Sequence, residues 1–166
     1  MKKKLILFIS ILFLLVACSM SNTPTSKVEA LFSKYQSLDT DISRGIDNIL
    51  DEQNLTDENR LRYRNLLEKQ YKNLSYEITD EKIDGNNATV TVSLDVLDYR
   101  SSISDLTFDS TIYTKETFDN EKLNRLENTN NKVTYTLEFT LTKDEEGSWH
   151  LNALTNEQIR KIEGMY

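Results

Sequence analysis

The chain is poor in the residues that build disulfides, metal sites and tight loops. Its 166 residues include one cysteine, one histidine, one proline and four glycines. A single cysteine cannot form an internal disulfide, so the fold must be held by its hydrophobic core. One histidine and one cysteine cannot supply the four ligands of a structural zinc site. We therefore predict neither a metal nor another cofactor.

Long apolar runs are also scarce, and the N-terminal one is too short to cross a membrane. Three lysines, Lys2 to Lys4, precede an apolar run from Leu5 to Val16 that is interrupted only by Ser10. A membrane-spanning helix needs about 20 such residues. A charged start, an apolar middle and a small-residue exit are typical of a signal peptide. We predict that residues 1–17 are this peptide and are removed.

The sole cysteine, Cys18, lies directly after Leu15, Val16 and Ala17 and before polar residues 19–22. This order resembles the lipobox of bacterial lipoproteins. The resemblance implies that signal peptidase recognises Leu15, Val16 and Ala17 and that the Cys18 thiol carries a diacylglycerol. A thiolate is the nucleophilic form of cysteine, and two or more acyl chains anchor a protein stably. The alternative is an ordinary signal peptide with an incidental cysteine.

The predicted location is the extracytoplasmic face of a cell membrane, or of an outer membrane where the cell has one. Cleavage leaves 149 residues and changes the net charge from −7 to −10, because three lysines are lost with the signal peptide. A chain of this length is one ordinary domain. An acidic surface argues against nucleic acid as a partner. The predicted partners are the membrane, through Cys18, and an envelope protein or a small ligand.

Residues 18–25 are predicted to form the lipidated cysteine and a polar tether. Residues 26–74, which follow, show three segments with helical periodicity. Ser26 and Glu29 fit a capping box, which predicts that the first helix begins at Ser26. Apolar residues from Ile42 to Leu50 predict a second helix, and Thr56 is the predicted N-cap of a third. The third helix carries basic side chains that we interpret as solvent-facing, namely Arg60, Arg62, Arg64, Lys69 and Lys72.

Beyond residue 75 the apolar period changes to two, which predicts strands. Residues 76–83 and 88–96 form a predicted hairpin around the turn signal of residues 84–87. Residues 133–142 are the most regular strand, and a turn at residues 144–147 leads to a final strand at residues 148–151. The acidic side chains of the turn at residues 144–147 lack the ligand spacing of a calcium loop.

Other parts of the second half are less regular. A strand is predicted around Leu106 and Phe108, and a helix over residues 117–128. Thr155 is the predicted N-cap of a short C-terminal helix that includes Ile159 and Ile162.

Helices followed by an antiparallel meander predict an α+β fold with a single domain over residues 26–166. Three segments, residues 28–32, 76–92 and 139–151, resemble members of the NTF2-like (cystatin-like) superfamily. The resemblance implies N-terminal helices packed on a curved antiparallel sheet that encloses a cone-shaped core, with a short C-terminal helix. It implies a fold and not an activity. Enzymes of that superfamily generally place His, Asp or Tyr groups inside the cone, and no such motif aligns here.

The candidate pocket consists of aromatic side chains that combine apolar walls with polar tips. Its residues are Tyr35, Tyr76, Tyr135 and His150; the alternative is a cone filled by its own side chains. We predict a non-catalytic binding or interaction module. One alternative is a small enzyme that uses His150 and a carboxylate, and another is a structural subunit of an envelope assembly.

Overall fold

The computed structural model describes residues 22–53 and 55–166, and the predicted signal peptide and Cys18 lie outside these ranges. Within them, no helix is both long and apolar enough to cross a membrane. The described elements, in chain order, are α1 (Pro24–Ser37), α2 (Thr40–Asp51), α3 (Asp57–Asn73), β1 (Ser75–Asp84), β2 (Asn87–Leu97), α4 (Tyr99–Ser102), α5 (Lys115–Glu127), β3 (Lys132–Lys143), β4 (Trp149–Leu151) and α6 (Asn156–Ile162).

Helix α1 begins at Pro24, two residues before the predicted start. Its N-cap is Thr23, whose hydroxyl accepts a hydrogen bond from the Ser26 N–H at 3.1 Å. The Ser26 hydroxyl in turn accepts one from the Thr23 N–H at 3.1 Å. Proline suits the first helical position because the N–H that it lacks has no partner there. The predicted box of Ser26 and Glu29 is therefore wrong.

Thr56 caps α3 as predicted, but the basic side chains of that helix do not simply face solvent. Arg60 lies 2.7 Å from a carboxylate oxygen of Asp51 in α2. Arg62 lies 2.7 Å from a carboxylate oxygen of Glu127 in α5. These ion pairs link α3 to both neighbouring helices, which corrects the interpretation made from the sequence.

The sheet is an antiparallel meander in the order β1-β2-β3-β4. One face of β2 is fully buried, because its inward side chains have no exposed surface; these are Val90, Val92, Leu94 and Val96. Helices α1 and α3 contact this strand. The predicted α+β class, with helices on an antiparallel sheet and a short C-terminal helix, is confirmed, as is the hairpin around residues 84–87.

No strand forms around Leu106 and Phe108, so that prediction is wrong. The short helix α4 and irregular turns occupy residues 99–114 instead. Asp109 accepts hydrogen bonds from both the N–H and the hydroxyl of Thr111, at 2.8 and 2.7 Å. Such local bonds stabilise a turn in competition with a strand ladder. The helix predicted for residues 117–128 is confirmed as α5.

The buried apolar side chains form two clusters. The larger one fills the space between the sheet and α1 to α3. The smaller one joins α3, the end of β2, α4 and α5, through Leu66, Leu97, Tyr99, Leu123 and Leu126.

The C-terminus closes over the smaller cluster. The Arg100 N–H donates to the carbonyl oxygen of Gly164 at 2.9 Å. Gly164 has φ +69°, and a Cβ there would collide with the Leu97 carbonyl oxygen and the Gln70 amide. Only glycine therefore lets the last residues pass this close to the end of β2.

Candidate functional site

A cavity of about 260 Å³ opens between α2, α3, α4, α5 and the C-terminal residues. It lies beside the smaller hydrophobic cluster, at the end of the sheet where β2 ends at Leu97. Its volume is slightly below the range of about 300–1,000 Å³ found for sites that hold drug-sized molecules. The cavity therefore suits a compact ligand.

The floor of the cavity is apolar and draws one side chain from each of four helices. Leu50 comes from α2, Leu66 from α3, Tyr99 from α4 and Leu126 from α5, and each is at most 4 % exposed. The Tyr99 hydroxyl donates to the Leu66 carbonyl oxygen at 3.0 Å. Burial raises the pKa of Tyr99, so its phenol stays neutral at physiological pH. The floor thus offers an uncharged, mainly apolar surface.

The rim of the cavity carries three cationic side chains, Arg100, Lys122 and Arg160. The Lys122 ammonium lies 5.8 Å from the centroid of the Tyr63 ring. Arg160 donates to the carbonyl oxygen of Met165 at 3.0 Å. Among residues 22–53 and 55–166, neither Arg100 nor Lys122 forms an ion pair with a carboxylate. Both charges therefore remain available to a ligand.

Glu163 is the carboxylate of the cavity lining, and it is half-buried. Burial raises its pKa, and the positive charge of Arg160 partly opposes this change. The charge of Glu163 also affects the pKa values of two tyrosines in the aromatic core. Burial raises the pKa of Tyr35 to about 12, with a further contribution from Glu163, and raises the pKa of Tyr71 in the same way. Glu163 thus lies between the cavity and the core.

The tyrosines of the predicted pocket lie elsewhere. Tyr35 is 9 % exposed, and its ring centroid is 4.9 Å from that of Tyr71. Tyr76 and Tyr135 both lie opposite Leu94, one on each neighbouring strand. Tyr76 stacks on Phe32, with 4.4 Å between ring centroids.

The Tyr135 hydroxyl donates to the carbonyl oxygen of Tyr166 at 3.2 Å. None of the three predicted tyrosines lines the cavity of 260 Å³. They pack in or against the larger hydrophobic cluster.

His150 lies on the outer face of the sheet, near the turn between β3 and β4. Its side chain is 62 % exposed, whereas its neighbour Trp149 is 5 % exposed, as their alternation predicts. The His150 Nε2 atom is 2.6 Å from a carboxylate oxygen of Asp144. This contact, with a backbone hydrogen bond from Ser148, lowers the pKa of Asp144. The pair is exposed to solvent and does not line the cavity. It therefore lacks the enclosed surroundings typical of a catalytic general base.

Apolar side chains are also exposed in the loop between α4 and α5. Phe108 is 50 % and Ile112 70 % exposed. Phe108 packs edge-to-face on Phe118, with 5.3 Å between ring centroids. The nearby Arg125 is already paired with Asp105 at 2.7 Å and with Glu121.

The polar residues around the cavity were not found from the sequence. Arg100, Lys122, Arg160 and Glu163 belong to α4, α5, α6 and the C-terminal segment, and no shared motif links them. Their charges did not distinguish them, since the chain holds 20 basic and 27 acidic residues. Within the described ranges, no group of three or more His, Cys, Asp or Glu side chains is placed to hold a metal ion.

Comparison with known proteins assigns no family to this chain. No family model matches it, and neither a curated protein nor a solved structure matches it significantly.

Proposed function

We propose that this chain is a lipid-anchored, extracytoplasmic binding protein that holds a small ligand without transforming it chemically. The observation that supports binding is the cavity of about 260 Å³, with an apolar floor and charged groups at its rim. This combination is typical of ligand sites, in which apolar walls supply affinity and a few polar groups fix orientation. The α+β arrangement is compatible with the NTF2-like architecture that the sequence resembles.

The anchor follows from the lipobox, with Leu15, Val16 and Ala17 recognised by signal peptidase and the diacylglycerol on Cys18. The chain reaches the folded body soon after this residue. The Asn22 side-chain amide donates to the Gly147 carbonyl oxygen at 2.8 Å and accepts from the Trp149 N–H at 3.0 Å. Four residues span at most about 14 Å. We infer that the turn between β3 and β4 lies close to the membrane.

The cavity lies at the opposite end of the sheet. Strand β2 runs from Asn87, beside that turn, to Leu97, beside the cavity. At about 3.3 Å a residue, the strand is about 33 Å long. The proposed orientation therefore holds the cavity away from the bilayer, where it takes its ligand from the aqueous space.

An envelope protein is the second candidate partner. The exposed Phe108 and Ile112 favour it, because exposed apolar side chains that cluster mark interaction sites. The enzyme alternative lacks such an observation, since His150 is solvent-exposed and does not line the cavity.

Recovery of the native ligand tests the binding function. The lipidated protein is purified from cells and extracted, and the released small molecules are identified by mass spectrometry. Ile49→Trp places a large side chain in the cavity lining, whereas Leu61→Trp adds the same side chain at a position that is 58 % exposed. We expect one compound to accompany the wild type and Leu61→Trp but not Ile49→Trp. Equal recovery from all three proteins would contradict the proposal.

A further inference from the structure

The charge around the cavity has the opposite sign to the charge of the protein. The chain has 27 acidic and 20 basic residues, and the predicted mature form has a net charge of −10. The cavity rim nevertheless carries Arg100, Lys122 and Arg160 against one carboxylate, Glu163. A cleft lined by one sign of charge concentrates ligands of the other sign.

Most other basic side chains near the helices are already neutralised by partners. Arg60 is paired with Asp51, Arg62 with Glu127, and Arg125 with Asp105. Arg100 and Lys122 are not neutralised in this way, because no carboxylate of the described residues forms an ion pair with either of them, and both side chains line the cavity. The two unpaired positive charges at the cavity therefore attract an anionic ligand, although the chain as a whole is acidic.

The third cation is partly engaged by the protein. Arg160 donates to the Met165 carbonyl oxygen and opposes the effect of burial on Glu163. The charge of Arg160 therefore acts in part on Glu163, the one carboxylate of the lining. This leaves the guanidinium of Arg100 and the ammonium of Lys122 as the two positive groups that face a ligand.

The floor favours a ligand that has an apolar part over a purely ionic one. Leu50, Leu66, Tyr99 and Leu126 are almost fully buried and provide no hydrogen-bond donor to the cavity, since the Tyr99 hydroxyl is used by the Leu66 carbonyl. Inorganic phosphate would leave this apolar surface uncovered. An apolar group that covers it contributes about 25 cal/mol for each Å² removed from water.

We propose that the cavity binds a compact organic anion, with an apolar body on the floor and a carboxylate or phosphate group between Arg100 and Lys122. This inference rests on the proposed binding function and specifies the chemical class of its ligand. A guanidinium binds either acidic group through paired N–H donors. The volume of about 260 Å³ limits the apolar body to the scale of a fused aromatic ring pair or a short acyl chain.

Three probes with the same naphthyl ring and similar size separate charge from apolar packing. They are 2-naphthoate, its neutral amide and the corresponding naphthylmethyl ammonium. Binding to the full lipidated chain in phosphatidylcholine nanodiscs is measured by titration calorimetry, with protein-free nanodiscs as the blank. We expect 2-naphthoate to bind at least tenfold more tightly than the amide, and the ammonium to bind most weakly.

Variants of the rim identify the groups responsible. Arg100→Gln with Lys122→Gln is expected to weaken 2-naphthoate at least tenfold and to change the affinity of the amide less than twofold. Arg44→Gln with Lys27→Gln removes the same charge away from the cavity and is expected to change neither. Circular dichroism and thermal unfolding confirm that each variant is folded.

Equal affinity for 2-naphthoate and the amide, an unchanged affinity in the rim variant, or no binding of 2-naphthoate would each overturn the anion assignment. Failure of the assignment is distinct from failure of the binding function. If the amide binds and Ile49→Trp abolishes its binding, the cavity is a ligand site of another class. If Ile49→Trp instead has no effect on the compounds recovered from cells, the binding function itself fails.

Discussion

The side-chain amide of Gln70 forms two hydrogen bonds with the backbone of Leu97. Its Nε2 donates to the Leu97 carbonyl oxygen at 3.0 Å, and its Oε1 accepts from the Leu97 N–H at 2.9 Å. Gln70 has no exposed surface. The pair fixes the last residue of β2 to α3, and therefore sets the position of Tyr99 and Arg100 at the cavity.

Loss of the Gln70 amide is expected to be costly. Gln70→Ala removes the partner of a buried donor and a buried acceptor, each of which costs about 1–3 kcal/mol when unsatisfied. We expect the free energy of unfolding to fall by about 2–4 kcal/mol in urea titrations followed by Trp149 fluorescence. Gln36→Ala removes an amide from an exposed residue and is expected to cost less than about 1 kcal/mol. Similar costs for the two variants would contradict this role of Gln70.

Two glycine substitutions are expected to have opposite effects. Gly164→Ala places a Cβ at φ +69°, against the Leu97 carbonyl oxygen and the Gln70 amide, and we expect a loss of at least about 2 kcal/mol. Gly45→Ala lies inside α2, where a Cβ meets no atom within 4 Å, and we expect a gain of about 0.5–1 kcal/mol. Thermal unfolding of both variants measures the difference; a gain for Gly164→Ala would show that the C-terminus is free to move.

The sheet was predictable because burial of one face leaves a pattern along the chain. Val90, Val92, Leu94 and Val96 alternate with polar residues, and the structure buries these four completely. Capping residues allow similar local inference, as Thr56 and Thr155 show. Where two caps compete, as with Thr23 and Ser26, the sequence alone favoured the wrong one.

The cavity was not predictable in this way, since it depends on long-range placement. Arg62 and Lys122 are both basic residues inside helices, and the neighbouring sequence does not distinguish them. The fold brings Glu127 within 2.7 Å of Arg62, whereas no carboxylate of residues 22–53 and 55–166 forms an ion pair with Lys122. A tyrosine-lined pocket was predicted from composition, whereas Tyr35 and Tyr76 pack into or against the larger hydrophobic cluster.

Stability is expected to depend on pH through Glu163. Its pKa is raised in the folded protein by burial, so the folded protein holds this proton more tightly than the unfolded chain. The contribution of Glu163 therefore favours folding at low pH and is lost as the pH rises through the raised pKa. At pH 7 the ionised side chain opposes folding.

We accordingly expect Glu163→Gln to raise the urea midpoint at pH 7 and to give little or no gain at pH 3.5. Glu77→Gln removes the same charge from an exposed position on β1 and serves as the matched control. A destabilised Glu163→Gln at pH 7 would indicate that the attraction between the charges of Glu163 and Arg160 outweighs the cost of burial.

The proposed lipid anchor predicts that Cys18 is essential for membrane association. Cys18→Ala removes the thiol that would carry the diacylglycerol, and the predicted product is an unlipidated precursor. In detergent phase separation we expect the wild type in the detergent phase and the unlipidated Cys18→Ala precursor to be absent from it. Ser21→Ala, which changes a nearby residue, is expected to behave as the wild type. If Cys18→Ala loses its signal peptide and still partitions with detergent, the lipobox assignment is wrong.

The contacts of Asn22 are expected to fix the orientation of the domain on the membrane. In the proposed lipidated form the Cys18 thiol is blocked, so one cysteine introduced at Glu145 or at Ser101 gives a single labelling site at either end of the molecule. Energy transfer to acceptor lipids should be efficient from position 145 and much weaker from position 101, because β2 separates these ends by about 33 Å.

Asn22→Ala removes both hydrogen bonds to the turn between β3 and β4, and we expect the two efficiencies to converge. Asn130→Ala, in an exposed loop, should preserve the difference. Equal transfer from both positions in the wild type would mean that the anchor does not orient the cavity.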